Sequence, residues 1–220
     1  MTKFISLQSL LLFILPITTL SICHQLHVAH TGVQTIPFID GEVSVSLIGR
    51  QEYSIGIFKP SFFLYAFMSI FFYFKISELF LKNKIINKLK ILGISANFFL
   101  CIYIIALGKN DPSFYEILRR LAIIFYIANM YVNHIYLIKI LKLLKSKNIF
   151  IFSFIYLPVF YTIIFLMTVL LIIGLPWVNP LFNYPDQLKN IIEWNYFLLT
   201  IFFYIPLSLL FYHLGDTLKK

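Results

Sequence analysis

Six apolar runs, each close to the length that crosses a bilayer, leave this chain few ways to fold. They fall at about 4–22, 59–81, 91–108, 117–141, 149–175 and 191–213. A spanning helix needs about 20 consecutive, mostly apolar residues. Hydrocarbon offers no partner to a free N–H or C=O, so only helices and closed barrels cross it. Apolar runs this long, without strict alternation, read as helices. The expected fold class is all-α: a polytopic membrane helix bundle of about six spans over residues 1–220, with a structured first noncytoplasmic loop. Composition agrees, with 12% charged residues against roughly 25% in soluble domains. The fifth run is the most distinct, because no charge occurs between Asn148 and Pro185. The second is the weakest, carrying Lys75 and Glu78 near its end, close enough in sequence to pair with each other.

The first run follows Lys3, as a signal peptide would, but no small-x-small cleavage site comes after it. Leu20-Ser21-Ile22-Cys23 resembles a lipoprotein box only loosely, since Ile22 is too large for the position before the cysteine. The run is expected to remain as a helix. Cys23 and Cys101 sit at a membrane boundary and inside a run, so no disulfide is expected.

Orientation follows from where the lysines cluster, because positive residues in short loops mark the cytoplasmic side. Lys82, Lys84, Lys88 and Lys90 lie between the second and third runs; Lys139, Lys142, Lys145 and Lys147 between the fourth and fifth. Lys3 and Lys219-Lys220 mark the two ends. With six spans all of these fall on one side, placing both termini in the cytoplasm. Asp40, Glu42, Glu52, Asp111, Glu116, Asp186 and Glu193 then belong to or border the other face. The formal charge of +9 is an orientation signal of juxtamembrane lysines. It carries no interleaved aromatics of the kind that stack bases, so no nucleic-acid partner is expected.

The loop at about 23–58 is the one connection with room for structure of its own. Gly32, Pro37 and Gly41 punctuate it, and Val43-Ser44-Val45-Ser46-Leu47 alternates as a short strand would, both serines on one face. His24, His27 and His30 form a slanted stripe if the first helix continues. Gly32 suggests that it ends there, and no acid or cysteine completes a coordination sphere, so no metal is assigned. Ser113 and Glu116 match a capping box ahead of the fourth run, and Arg119 and Arg120 one turn on can neutralise Glu116. Asn129, Asn133 and His134 read as interhelical glue. Pro158 and Pro206 are expected to kink the fifth and sixth helices. Glu193 opens the last run beside Trp194, and an ionisable group there is a functional candidate by default. No Walker loop, dinucleotide glycine fingerprint, nucleophile elbow or HExxH occurs. ATP-driven transport and soluble-type hydrolysis lose their ground, and no cofactor is assigned.

At His30-Thr31-Gly32-Val33, Pro37, Val45-Ser46-Leu47-Ile48-Gly49 and Phe58, the loop resembles the FRAG/DRAM/Sfk membrane family. Within it the likeness is greatest to the post-GPI-attachment-to-proteins factor two type, related to the N-terminal domain of yeast-type cell-wall-biogenesis proteins. Glu116 matches its acid before the fourth span, Glu193-Trp194 its Glu-aromatic pair, and Asn97 its third-span asparagine. His134 matches with a gap, while His213 and Asp216 lie closer together than the family's His and Asp.

The resemblance implies fatty-acid replacement on a lyso-GPI lipid, in the lumen of the Golgi or endoplasmic reticulum if the host is eukaryotic. His30, Glu193 and Glu116 are then the candidate catalytic groups, with His30 or Glu193 as general base. Ser44, Ser46, Arg50, Asp111, Asn97 and Trp194 are the candidate substrate contacts. The expected partner is a membrane lipid or lipid anchor, with other membrane proteins as further partners. Two other readings stand beside it: a lipid-binding accessory protein without chemistry, and a small transporter or channel subunit. The last would need a polar stripe through the bundle, and the third and fifth runs read as almost wholly apolar.

Overall fold

Every regular element among the residues described by the computed structural model (1–79, 84–109, 112–143, 155–175 and 185–217) is helical. In chain order these are α1 (Thr2–Thr31), α2 (Pro37–Asp40), α3 (Val45–Arg50), α4 (Glu52–Leu79), α5 (Lys84–Ala106), α6 (Pro112–Leu143), α7 (Leu157–Ile173), α8 (Pro185–Phe202) and α9 (Tyr204–Thr217). Five stretches are long and apolar enough to cross a bilayer: Thr2–Thr31, Glu52–Leu79, Ile85–Ala106, Phe114–Lys142 and Asp186–Leu214, the last running through α8 and α9. The fifth apolar run yields α7, 17 residues long and about 25 Å at 1.5 Å per residue; residues 149–154 of that run lie outside the described residues. The chain is an integral, multi-pass membrane protein with an all-α bundle.

Several boundaries move. Helix α1 continues to Thr31 instead of stopping near 22, and α4 begins at Glu52 instead of 59. The first loop therefore shrinks from 23–58 to residues 32–51. Apolar content marks where a helix enters lipid, not where its hydrogen bonding stops, so polar turns beyond the membrane are invisible to it. Gly32 ends α1 in the left-handed region (φ 70), its N–H returning to Val28 O. The alternating Val43–Leu47 segment is no strand: Ser44 caps α3, its Oγ accepting the Leu47 N–H at 2.9 Å. Pro158 stands in the first turn of α7, where a missing N–H costs nothing, and the residues before it, 155–156, are wound as a π turn. Pro206 acts as expected. It cannot donate to Phe202 four residues back, and the helix is interrupted at Phe203.

The helices close into a ring in which α1 packs against α4 and α9, α4 against α5, α5 against α6, and α7 bridges α6 and α8. Ser208 Oγ donates to Ser6 O at 2.8 Å, tying α9 to α1. Four tyrosines, Tyr65, Tyr73, Tyr126 and Tyr204, are fully buried in the middle. Asn97 donates to Ser69 Oγ at 2.9 Å, joining α5 to α4. Asn133, its amide turned to suit its neighbours, donates to Leu89 O (3.2 Å) and accepts from the Tyr73 hydroxyl (3.1 Å). That hydroxyl lies 3.2 Å from the Tyr204 hydroxyl. Side chains of this kind bond across membrane helices because lipid gives them no alternative. His134 departs from the reading of it as glue. It is fully buried and stacked on Phe203 at 4.1 Å, yet neither ring nitrogen has a hydrogen-bond partner.

Candidate functional site

The opening turns of α8 hold the first loop. Positions 190, 193 and 194 share a helix face, and each carries a polar group that meets loop backbone. Asn190 Nδ2 donates to Gly41 O at 2.7 Å, and Trp194 Nε1 to Val43 O at 2.8 Å. Glu193 Oε1 accepts the Ser46 N–H at 3.1 Å, which is one of the first-turn donors of α3 left without an intrahelical partner. A quarter-turn on, Asn195 Nδ2 donates to Phe38 O at 2.9 Å. Gly41 permits this approach in two ways. Its φ of +66 is left-handed, and a Cβ there would stand 2.2 Å from Gln187 O on α8.

Beside this clamp lies an open cavity of about 480 Å³, within the usual range for small-molecule sites. Its polar wall is Ser46, Tyr103, Arg119, Arg120, Lys189 and Glu193. Its apolar wall is made by Ile123, Ile124 and Ile127 of α6 with Leu171 of α7 and Ile192 of α8. Two of the three cations are already held on their own helices. Arg120 pairs with Glu116 at 2.5 Å and Lys189 with Asp186 at 2.9 Å. Arg119 lines the cavity together with Glu193. Glu193 is half-buried and is the one carboxylate among the described residues lining this cavity. Behind it a narrow apolar crevice of about 30 Å³ runs toward Phe58, Phe62, Tyr126 and Phe197, room for about one water-sized group.

The sequence candidates are only partly gathered here. Glu193 and Ser46 meet on the cavity wall. Ser44 stands next to them, 3.0 Å from Ser46 Oγ, but its hydroxyl serves as the α3 cap. Trp194 is buried and its indole N–H is bound to the loop, so it is not a free substrate contact. Asn97 lies in the bundle interior on Ser69, away from the cavity. His30 is exposed and stacked on the Tyr53 ring at 4.3 Å, and it does not line the cavity. Arg50 is exposed and also absent from its lining. Glu116 borders the site only through Arg120. Asp111 lies outside the described residues, as do the side chains of Ser113 and Asp216. The His24, His27 and His30 stripe gathers no metal-binding group among the described residues; His27 Nδ1 lies 2.6 Å from the Tyr53 hydroxyl.

No family model, curated protein or solved structure matches this chain. The site therefore has to be read from its own chemistry. Sequence reasoning offered both Arg119 and Arg120 to Glu116; Arg120 forms the pair, and Arg119 lines the cavity. It passed over Tyr103, Lys189, Asn190 and Asn195 altogether. The two asparagines flanking Glu193-Trp194 were the available signal: four hydrogen-bonding side chains within six positions, at the mouth of an apolar run, require partners.

Proposed function

We propose that this protein binds a membrane lipid in the cavity between α6, α7 and α8, with a phosphate-bearing headgroup at the polar wall. The observation that carries the reading is the meeting of Arg119, Arg120 and Lys189 with Glu193 over an apolar wall of isoleucine and leucine. Guanidinium groups suit phosphate because their fork of donors fits two of its oxygens. Glu193 can accept from a headgroup hydroxyl or ammonium. The exposed pairs that occupy Arg120 and Lys189 are each worth about 1 kcal/mol or less, so a phosphate can displace Glu116 and Asp186. The acyl chains lie along Ile123, Ile124 and Ile127, because the inner crevice is too narrow for them. Both termini face the cytoplasm in this reading, and the cavity opens at the opposite, lumenal or exterior boundary.

A second reading keeps the same lipid site and adds chemistry: fatty-acid replacement on the lyso-GPI lipid of GPI-anchored proteins. It rests on the loop and Glu-Trp resemblance, and on a carboxylate on the wall of a cavity that also has an apolar side. Glu193 would take the proton from the lyso-lipid hydroxyl as that oxygen attacks the carbonyl of an activated acyl ester or thioester, and would return it to the donor's leaving group as the old acyl bond breaks. His30 has no part in it, since it is turned onto Tyr53 away from the cavity.

The test uses the full chain in nanodiscs of phosphatidylcholine doped with phosphatidylinositol or phosphatidylglycerol. Native mass spectrometry is expected to show retained anionic lipid, reduced severalfold by Arg119→Ala. Equal retention by the two proteins overturns the headgroup assignment. Incubation with lyso-lipid and an acyl donor separates the two readings: turnover abolished by Glu193→Gln supports remodelling, and binding without turnover supports an accessory role.

A further inference from the structure

We infer that the segment from Val33 to Val43 is set into the interfacial layer of the bilayer, with Ile36, Phe38 and Ile39 as its contacts to lipid. This goes beyond the cavity and does not depend on what the cavity holds. Three observations carry it. First, Ile36, Phe38 and Ile39 are 49%, 44% and 62% exposed, three large apolar side chains within four positions of a loop that the sequence treats as polar.

Second, several peptide groups around these side chains are bonded within the protein. The carbonyls of Phe38, Gly41 and Val43 accept from Asn195, Asn190 and Trp194. The Ile36 N–H donates to Asp40 Oδ2 at 2.7 Å, and the Ile39 and Asp40 N–H groups donate to Ile36 O at 2.8 Å each. Such bonds lower the cost of taking these peptide groups out of bulk water. Irregular backbone at membrane depth is tolerated only where protein takes water's place. Asp40 fits the same rule, because its carboxylate turns back onto the segment's own backbone.

Third, the length of the last span sets a depth for the segment when Leu214 marks the inner edge of the hydrocarbon. Twenty residues, about the thickness of the hydrocarbon core, counted back from Leu214 end at Asn195, the residue that holds Phe38. Asn190, which holds Gly41, is about 7 Å further out at 1.5 Å per residue. The loop thus slants from the headgroup layer to the edge of the hydrocarbon, with its apolar side chains at the deeper end. A bilayer, being continuous with the lipid-facing surface of α8, is the occupant this arrangement fits.

The test is depth measurement on the reconstituted full chain. A nitroxide is attached through Ile39→Cys, with Cys23→Ala and Cys101→Ala, in phosphatidylcholine vesicles. Collisions with dissolved oxygen are expected to exceed those with a water-soluble nickel chelate severalfold at position 39, and the order to reverse for Glu42→Cys. Equal chelate access at 39 and 42 overturns the inference. So does protection of position 39 from both reagents, which would mean that protein covers it. Should the cysteine replacements prevent folding, Phe38→Trp in the otherwise unchanged chain gives a second measurement. Its added fluorescence is expected to be quenched by brominated lipid and not by aqueous iodide, and the opposite result overturns the inference.

Discussion

Glu193 Oε1 accepts the backbone N–H of Ser46 at 3.1 Å, joining residues 147 positions apart in the chain. The acid at the mouth of the last span thus has a structural duty, capping α3, and a chemical opportunity, facing the cavity. Substitution separates the two. Glu193→Gln keeps an oxygen for Ser46 and removes the charge, so thermal unfolding in detergent should shift little while lipid retention changes. Glu193→Leu leaves the Ser46 N–H without its acceptor and should destabilise the fold by about 1–3 kcal/mol. Equal melting temperatures for the two variants would show that the cap contributes nothing.

Gly41→Ala should release the loop from α8. The left-handed backbone costs an alanine about 1–2 kcal/mol, and the new Cβ would stand 2.2 Å from Gln187 O. Hydrogen exchange over residues 38–46 is expected to accelerate strongly while the amides of α5 and α6 keep their protection. Unchanged exchange at 38–46 would show that the approach of Gly41 to α8 does not hold the loop.

Glu116→Gln should leave stability within about 0.5 kcal/mol, because its partner Arg120 is an exposed neighbour one turn away. Lipid retention should rise slightly as Arg120 is freed toward the cavity. A loss of all turnover in a working acyl-transfer assay would instead return Glu116 to the catalytic candidates.

His134→Phe should be neutral or stabilising. Both ring nitrogens are buried without partners and the ring is stacked on Phe203, so an apolar ring of similar shape removes two unsatisfied groups and keeps the stacking. Denaturant titration by circular dichroism in micelles measures it, and a loss of more than about 1 kcal/mol would show that the imidazole is bonded in the membrane.

The bundle was legible because hydrocarbon imposes it: a run such as 91–108 has no other stable state, and α5 forms there. The capping and clamping were not legible. Ser44 and Ser46 alternate with valine as strand residues do, yet Ser44 caps a helical turn there and Glu193 of α8 takes the Ser46 N–H. Asn97 and Asn133 were visible as polar intruders in apolar runs, and their burial follows from that. Grouping Glu193 with His30 failed because sequence fixes the end of the bundle a residue belongs to, not the side of it. Tyr53 draws the imidazole elsewhere.

The bond between Ser208 and Ser6 also sets a timetable. Residue 6 is synthesised 202 positions ahead of its partner, a delay of about 10–40 s at about 5–20 residues per second. Throughout that interval α1 lacks the neighbour whose Ser208 hydroxyl will lie 3.2 Å from that of Ser6. Ring closure is therefore a late event in biogenesis, and a nascent chain stalled before α9 would offer insertase or quality-control factors an open seam along α1.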